Sequence, residues 1–153
     1  MIKLKLIKQR KEAYCGPICL RMIIDYFGIK ISELKLVKLC KTDSHGSRAV
    51  NIIKAAKSLG LKGFVKDFCE IKDLRNYVVK KKWPVIVAWF SDDDTHYSVV
   101  VGLDNDNVYL ADPEENHIKK IKINIFRRLW FDFTNVLEKK EDIVIRRIIV
   151  IHK

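Results

Sequence analysis

A thiol, an imidazole and a carboxylate suffice for nucleophilic acyl transfer when a chain brings them together. Cys15 is the strongest candidate for the first. It is followed by Gly16 and Pro17, and proline is tolerated in an opening helical turn, where its missing N–H is no loss. A thiol there meets unpaired backbone N–H groups and the positive end of the helix dipole, both of which favour thiolate. A cysteine taken alone is more often a small buried hydrophobe, as Cys19 would be one turn later. Its partners therefore decide the matter.

A cysteine nucleophile needs a base within hydrogen-bond reach. His96 stands between the polar run of residues 91–95 and the apolar run of residues 97–103, a loop-to-strand junction of the kind that presents side chains to a cleft. His45 lies in a Ser/Gly loop, His117 follows two glutamates and His152 is next to the last residue, so each reads as a surface histidine. Asp112, before Pro113, is the candidate acceptor that would hold His96 in one tautomer. Gln9, six residues before Cys15, is an amide able to donate to a developing oxyanion together with the Cys15 backbone N–H.

These side chains must be positioned by helices first and strands after. Residues 1–8 alternate apolar and charged, as a half-buried strand does. From Cys15 an apolar stripe runs through Ile18, Cys19, Met22, Ile23, Tyr26 and Phe27, and Gly28 is placed to end the helix. Ser32 is the expected N-cap of a second helix, and Ser47 that of a third through Val50, Ile53, Ala56 and Leu59. Residues 64–68 look extended, and a fourth helix is expected over 73–81, ended by Trp83-Pro84. Residues 85–90 and 97–103 are continuous apolar runs of strand length, central strands of a sheet. Residues 118–123 suggest a strand edge, 125–130 a short helix, and 143–151 one closing strand. The fold class is α+β, with no internal repeat or domain linker and one domain over residues 1–153.

Asp104-Asn105-Asp106-Asn107 is a strong turn signal, so residues 97–111 read as a β-hairpin whose open end holds His96 and Asp112. A symmetric turn would set Asp112 opposite Val99, three residues or about 10 Å from His96. Contact therefore requires a bulge or an asymmetric loop that moves Asp112 toward the histidine.

Composition excludes several classes. No apolar run approaches the roughly 20 residues of a spanning helix. The most apolar segment, residues 143–151, carries Arg146 and Arg147 in its middle. The N-terminal residues lack the continuous apolar segment and cleavage site of a signal peptide, which points to a soluble cytoplasmic protein. Four cysteines, Cys15, Cys19, Cys40 and Cys69, show neither the zinc-site spacing nor the context of a disulfide framework, and are read as free thiols with no metal and no cofactor. The formal net charge is +11. Its basic residues are spread along nearly every segment, with Lys80-Lys81-Lys82 and Lys119-Lys120 read as a solvated helix end and strand edge. A basic nucleic-acid-binding protein is the weaker alternative for that reason.

Gln9, then Tyr14-Cys15-Gly16-Pro17-Ile18-Cys19-Leu20 and Asp25-Tyr26-Phe27-Gly28, resemble the opening of the bacteriocin-processing, double-glycine-leader cysteine peptidases. The likeness continues through Thr42 and Gly46, Ser58-Leu59-Gly60-Leu61 and Trp83-Pro84-Val85-Ile86-Val87. It includes His96-Tyr97-Ser98-Val99-Val100-Val101-Gly102 and Val108-Tyr109-Leu110-Ala111-Asp112-Pro113, and spans residues 9 to about 133. The resemblance implies a papain-like fold, with Cys15 as nucleophile, His96 as its base, Asp112 as its orienting acid and Gln9 in the oxyanion hole. It implies hydrolysis of a peptide bond through a Cys15 thioester, after small residues such as a double glycine in a leader peptide. Members acting on bacteriocin precursors are commonly the N-terminal domain of a membrane exporter with an ATP-binding module. These 153 residues contain neither, so a free-standing peptidase is expected, served by a separate transporter or substrate-delivering protein. Residues 138–153 lie outside the likeness and are expected to add one strand. A peptide-binding module or an acyl transferase of the same fold is the nearest rival.

Overall fold

The structure is a computed structural model that describes residues 1–92, 94–133 and 138–153; Asp93 of the acidic run lies outside them. Helix α1 spans Cys15–Tyr26. Most of its residues from Cys15 to Ile24 are buried, so it is a core element with almost no solvent face. Gly28, at φ +85°, supplies the left-handed residue that stops it. Ser32 caps α2 (Glu33–Leu39) by accepting from the Lys35 N–H. The expected Ser47 cap is corrected. Helix α3 (Ala49–Ser58) has Arg48 at its N-cap with no side-chain cap bond, because the Ser47 hydroxyl is taken by Thr42 Oγ1 at 2.7 Å.

Strand β1 (Lys62–Lys66) precedes α4 (Ile71–Leu74), which begins two residues before the expected start and continues over Arg75–Lys80 as a π-helix. Then follow β2 (Val85–Ser91), β3 (Asp94–Leu103), β4 (Asn107–Asp112) and β5 (His117–Lys122). Helix α5 (Ile123–Leu129) leads to β6 (Phe131–Phe133), β7 (Ile143–Ile145) and β8 (Ile148–His152). The main sheet has the order β1-β8-β2-β3-β4-β5, antiparallel throughout, while β6 and β7 form a separate pair. Helices plus an antiparallel sheet give the expected α+β class.

Two expectations at the chain's ends are corrected. Residues 1–9 form no strand; Ile2 N–H donates to the Val101 carbonyl at 2.7 Å, but β3 already has β2 and β4 on its two sides. Residues 143–151 are not one strand but β7 and β8, in different sheets. The chain turns between them at Arg146 (φ +49°), where the Arg147 guanidinium makes two bonds to Asp67 at 2.7 and 3.0 Å and the Trp130 indole donates to the Arg147 carbonyl. Strand β8 is therefore no appendage: it lies between β1 and β2. A Cβ on Gly63 would stand 2.6 Å from the Val150 carbonyl, so the close approach of β1 to β8 requires glycine there. One continuous apolar core joins α1, α3 and the sheet.

Candidate active site

Cys15 is the first residue of α1 and is 9% exposed. Gly16 explains the motif around it. A Cβ there would lie 3.1 Å from Ser47 Cβ and 3.2 Å from Ile52 Cδ1, so glycine lets the start of α1 lie against the start of α3. Cys15 is close enough to His96 to favour the charged imidazole, second to Asp112 in that effect.

His96 lies inside β3, not before it, because β3 starts at Asp94 and pairs with β2 as far as Asp94 and Ser91. It sits directly opposite Trp89 and is buried. Its Nε2 is 2.7 Å from Asp112 Oδ1, and its Nδ1 is 3.8 Å from Glu114 Oε1.

The register explains how Asp112 arrives. Next to the turn, Leu103 pairs with Val108 and Gly102 with Tyr109, the symmetric register that would carry Asp112 to Val99. A bulge between Val100 and Gly102 then pairs Val100 with Leu110 and Val99 with Ala111. Continued by one residue, this sets Asp112 level with Ser98. Alternate residues share a sheet face, so the one-residue shift also turns Asp112 to the face that carries His96. Without it the carboxylate would point to the opposite side.

Asp112 is fully buried: Oδ1 accepts from His96 and from the Glu114 N–H at 3.0 Å, while Oδ2 makes no well-aligned hydrogen bond among the described residues and is met by the Lys119 ammonium in an ion pair at 3.1 Å. Burial opposes its charge, but the His96 contact and these donors prevail and hold it at about 2. Burial likewise opposes charge on His96, but Asp112 and Cys15 outweigh it and lift the imidazole to about 10. Tyr97, the next residue, donates to the Ser47 carbonyl at 3.2 Å, tying β3 to the start of α3.

Gln9 reaches the site through its backbone as well as its side chain. Its N–H donates to the Pro113 carbonyl at 2.8 Å, beside Asp112. Its amide Nε2 donates to the carbonyls of Lys11 and Glu12 at 3.0 and 3.1 Å, in the turn that leads into Cys15. Both amide protons are thus engaged, and Oε1 is buried with no partner among the described residues. In this arrangement Gln9 braces the turn, and it contributes to an oxyanion hole only by releasing one carbonyl.

A cavity of about 150 Å³ opens beside His96, lined also by Glu12, Ser91, Asp92, Asp94, Thr95 and Glu114. Its charged lining is carboxylate, which repels phosphate despite the basic surface elsewhere. A larger cavity of about 350 Å³, between Arg21, Asp25 and Ile29–Ser32, contains none of the site residues. Among the described residues only His96, Asp112 and Glu114 bring three metal-ligating side chains within 4.8 Å of one another, and Asp112 there is already engaged by two donors on Oδ1 and by the Lys119 ion pair on Oδ2.

The other histidines stand apart. His45 is exposed beside Asp43, His117 pairs with Glu115, and His152 stacks on Trp83 with ring centroids 4.0 Å apart. All four cysteines are free thiols. Three residues were not anticipated at the site: Glu114, Lys119 and Ser98, whose hydroxyl accepts from the Trp89 indole at 3.0 Å. Lys119 was expected on a solvated strand edge; its side chain is only 18% exposed. Only its two-residue offset from His117, the residue paired with Asp112, could have signalled it.

The model of the Peptidase C39 family matches residues 3–142. An uncharacterized protein of Methanothermobacter thermautotrophicus is 33% identical over 139 residues, covering 90% of each chain. The lactococcin-G-processing and transport ATP-binding protein LagD of Lactococcus lactis is 30% identical over 131 residues, 82% of this chain but 18% of that protein. The crystal structure of a double glycine motif protease from an AMS/PCAT transporter, in complex with a leader peptide, superposes with a TM-score of 0.72 at 21% identity, covering 99% of this chain and 92% of that one. The fold is that of the papain-like peptidase domains.

Proposed function

The chain belongs to the Peptidase C39 family, whose members are cysteine peptidases, and from that premise we propose that Cys15, His96 and Asp112 hydrolyse a peptide bond after small residues, such as the double glycine of a leader peptide. The observation that carries this reading is the buried His96, bonded through Nε2 to Asp112 at 2.7 Å, with Cys15 near enough to favour its charge. In the reaction the Cys15 thiolate attacks the carbonyl carbon, and the C–N bond breaks as His96 gives its proton to the leaving amine. Water, deprotonated by the now neutral His96, then cleaves the thioester. Asp112 stays ionised throughout and keeps the imidazole oriented.

The oxyanion is received by backbone N–H groups at the start of α1, joined by Gln9 Nε2 once one of its carbonyl contacts opens. The chain spans about a fifth of the length of the transport proteins it matches. We read residues 1–153 as one peptidase domain acting in the cytoplasm on a peptide presented by a separate transporter. No helix among the described residues is long and apolar enough to cross a membrane.

The test is incubation with a synthetic leader peptide ending in Gly-Gly followed by a short cargo, read by intact mass. Wild type is expected to cut after the second glycine, while Cys15→Ala and His96→Ala leave the peptide whole. Cleavage by Cys15→Ala at the wild-type rate sinks the assignment. Transfer of the acyl group to an added amine in place of water would favour the acyl-transferase alternative.

A further inference from the structure

We propose that Lys119 is a positioning residue of the site: its ammonium, seated between Asp112 and Glu115, pins the far oxygen of the Asp112 carboxylate and tempers the charge that this carboxylate presents to His96. The inference rests on the reading of His96 as the acid–base group, and it adds a fourth member to the chain of contacts behind the thiol.

The placement follows from the pairing of β4 with β5. Asp112 is opposite His117, so Lys119, two residues on, shares the face of Asp112 and lies diagonal to it. His96 is diagonal to Asp112 from the other side, across β3. The carboxylate is thus flanked by an imidazole on Oδ1 at 2.7 Å and an ammonium on Oδ2 at 3.1 Å. Lys119 also pairs with Glu115 at 2.9 Å and lies 5.6 Å above the Trp89 ring, which in turn faces His96. These contacts fix a long side chain that is 18% exposed, which a solvated lysine has no cause to be.

The physical consequence has two parts. A fully buried carboxylate with one oxygen bonded to His96 and the other free could rotate its bond away from the imidazole; Lys119 prevents that rotation. A cation beside Asp112 also offsets part of the negative charge that stabilises the imidazolium. The charged and titratable groups around His96, Asp112 and Lys119 are Cys15 and Cys19 from α1 and Glu114 and Glu115 from the turn. Glu12, Asp92 and Asp94 line the cavity beside His96. Arg127 and Arg128 on α5 are exposed.

Lys119→Gln retains a donor and removes the charge, Lys119→Met removes both, and Lys119→Arg keeps both. His96 is followed by ring NMR in each variant on a Cys15→Ser background, which needs no substrate. Lys119→Gln is expected to raise the His96 titration by about half a pH unit or more, less than the roughly 1–3 units of a directly adjacent charge because Lys119 acts from behind Asp112. Lys119→Arg is expected to restore the wild-type value. With Cys15 present, the alkaline limb of peptide hydrolysis should move the same way, and Lys119→Met should lower kcat more than it changes KM. An unchanged or lowered His96 titration in Lys119→Gln overturns the proposal. A raised titration in a protein that cuts no peptide supports the role of Lys119 and removes the peptidase assignment instead.

Discussion

His96 and Asp112 touch at 2.7 Å although β3 and β4 leave their turn in a register that would separate them. The bulge between Val100 and Gly102 accounts for both the distance and the facing. Its extra residue, Val101, offers a carbonyl that Ile2 N–H takes at 2.7 Å. The histidine–acid contact thus depends on backbone geometry several residues away from either side chain.

Stability should carry the signature of this pair. His96 is raised to about 10 from an unfolded value near 6.5, so its contribution is complete below about pH 6.5 and fades as pH rises toward 10. Asp112 is depressed to about 2 from about 3.9, so its contribution is complete above about pH 4 and fades as pH falls toward 2. Urea midpoints should accordingly fall from pH 6.5 to pH 9.5 in wild type, and fall less in His96→Gln. Equal slopes in the two proteins would mean that the pair contributes nothing. In Asp112→Asn the hydrolysis rate should drop by roughly 10²-fold.

Cysteine labelling should be selective. Burial above all, then the negative charges of Cys15 and Asp112, raises Cys19 far beyond an ordinary thiol; burial pushes Cys40 up to about 12 and Cys69 up to about 11. All three are fully inaccessible. Limiting iodoacetamide at pH 7.5 should therefore modify Cys15 alone in folded protein, with the other three reacting only in denaturant. Peptide mapping that finds Cys19 or Cys40 labelled as fast as Cys15 would contradict the arrangement.

Gly16→Ala separates stability from positioning. Alanine is favoured over glycine in a helix by about 1 kcal/mol. The added methyl must displace Ser47 or Ile52 by a few tenths of an ångström, a strain of about 1–3 kcal/mol. The terms offset, so unfolding free energy should change by no more than about 2 kcal/mol. Hydrolysis should fall about tenfold or more, because the start of α1 moves relative to α3 and, through Tyr97, to β3. Unchanged kcat/KM would show that Gly16 is dispensable for the site.

Much of the site was legible because it follows local rules. The proline after Cys15, the Ser32 cap and the turn at residues 104–107 all act where they stand. The need for a bulge could be deduced from counting the hairpin, whereas its position could not, since it answers to a contact with residue 2. The tail departs from its composition for a similar reason. Residues 143–151 have a strand's composition throughout, and only the pairing of Arg147 with the distant Asp67 breaks them into two strands. Lys119 looked like any surface lysine because its burial comes from strand pairing and from Glu115, neither of which leaves a mark in composition.

The place of β8 has a consequence for how the molecule comes into being. Cys15, His96 and Asp112 all leave the ribosome before residues 148–152, yet β1 and β2 have no bridge between them until that last strand arrives. At ordinary rates of synthesis, β1 waits roughly 4 to 16 seconds for its partner. During that interval a nascent chain carries Cys15, His96 and Asp112 on an unfinished sheet, so competence to cut peptides should begin only once residues 148–152 have emerged.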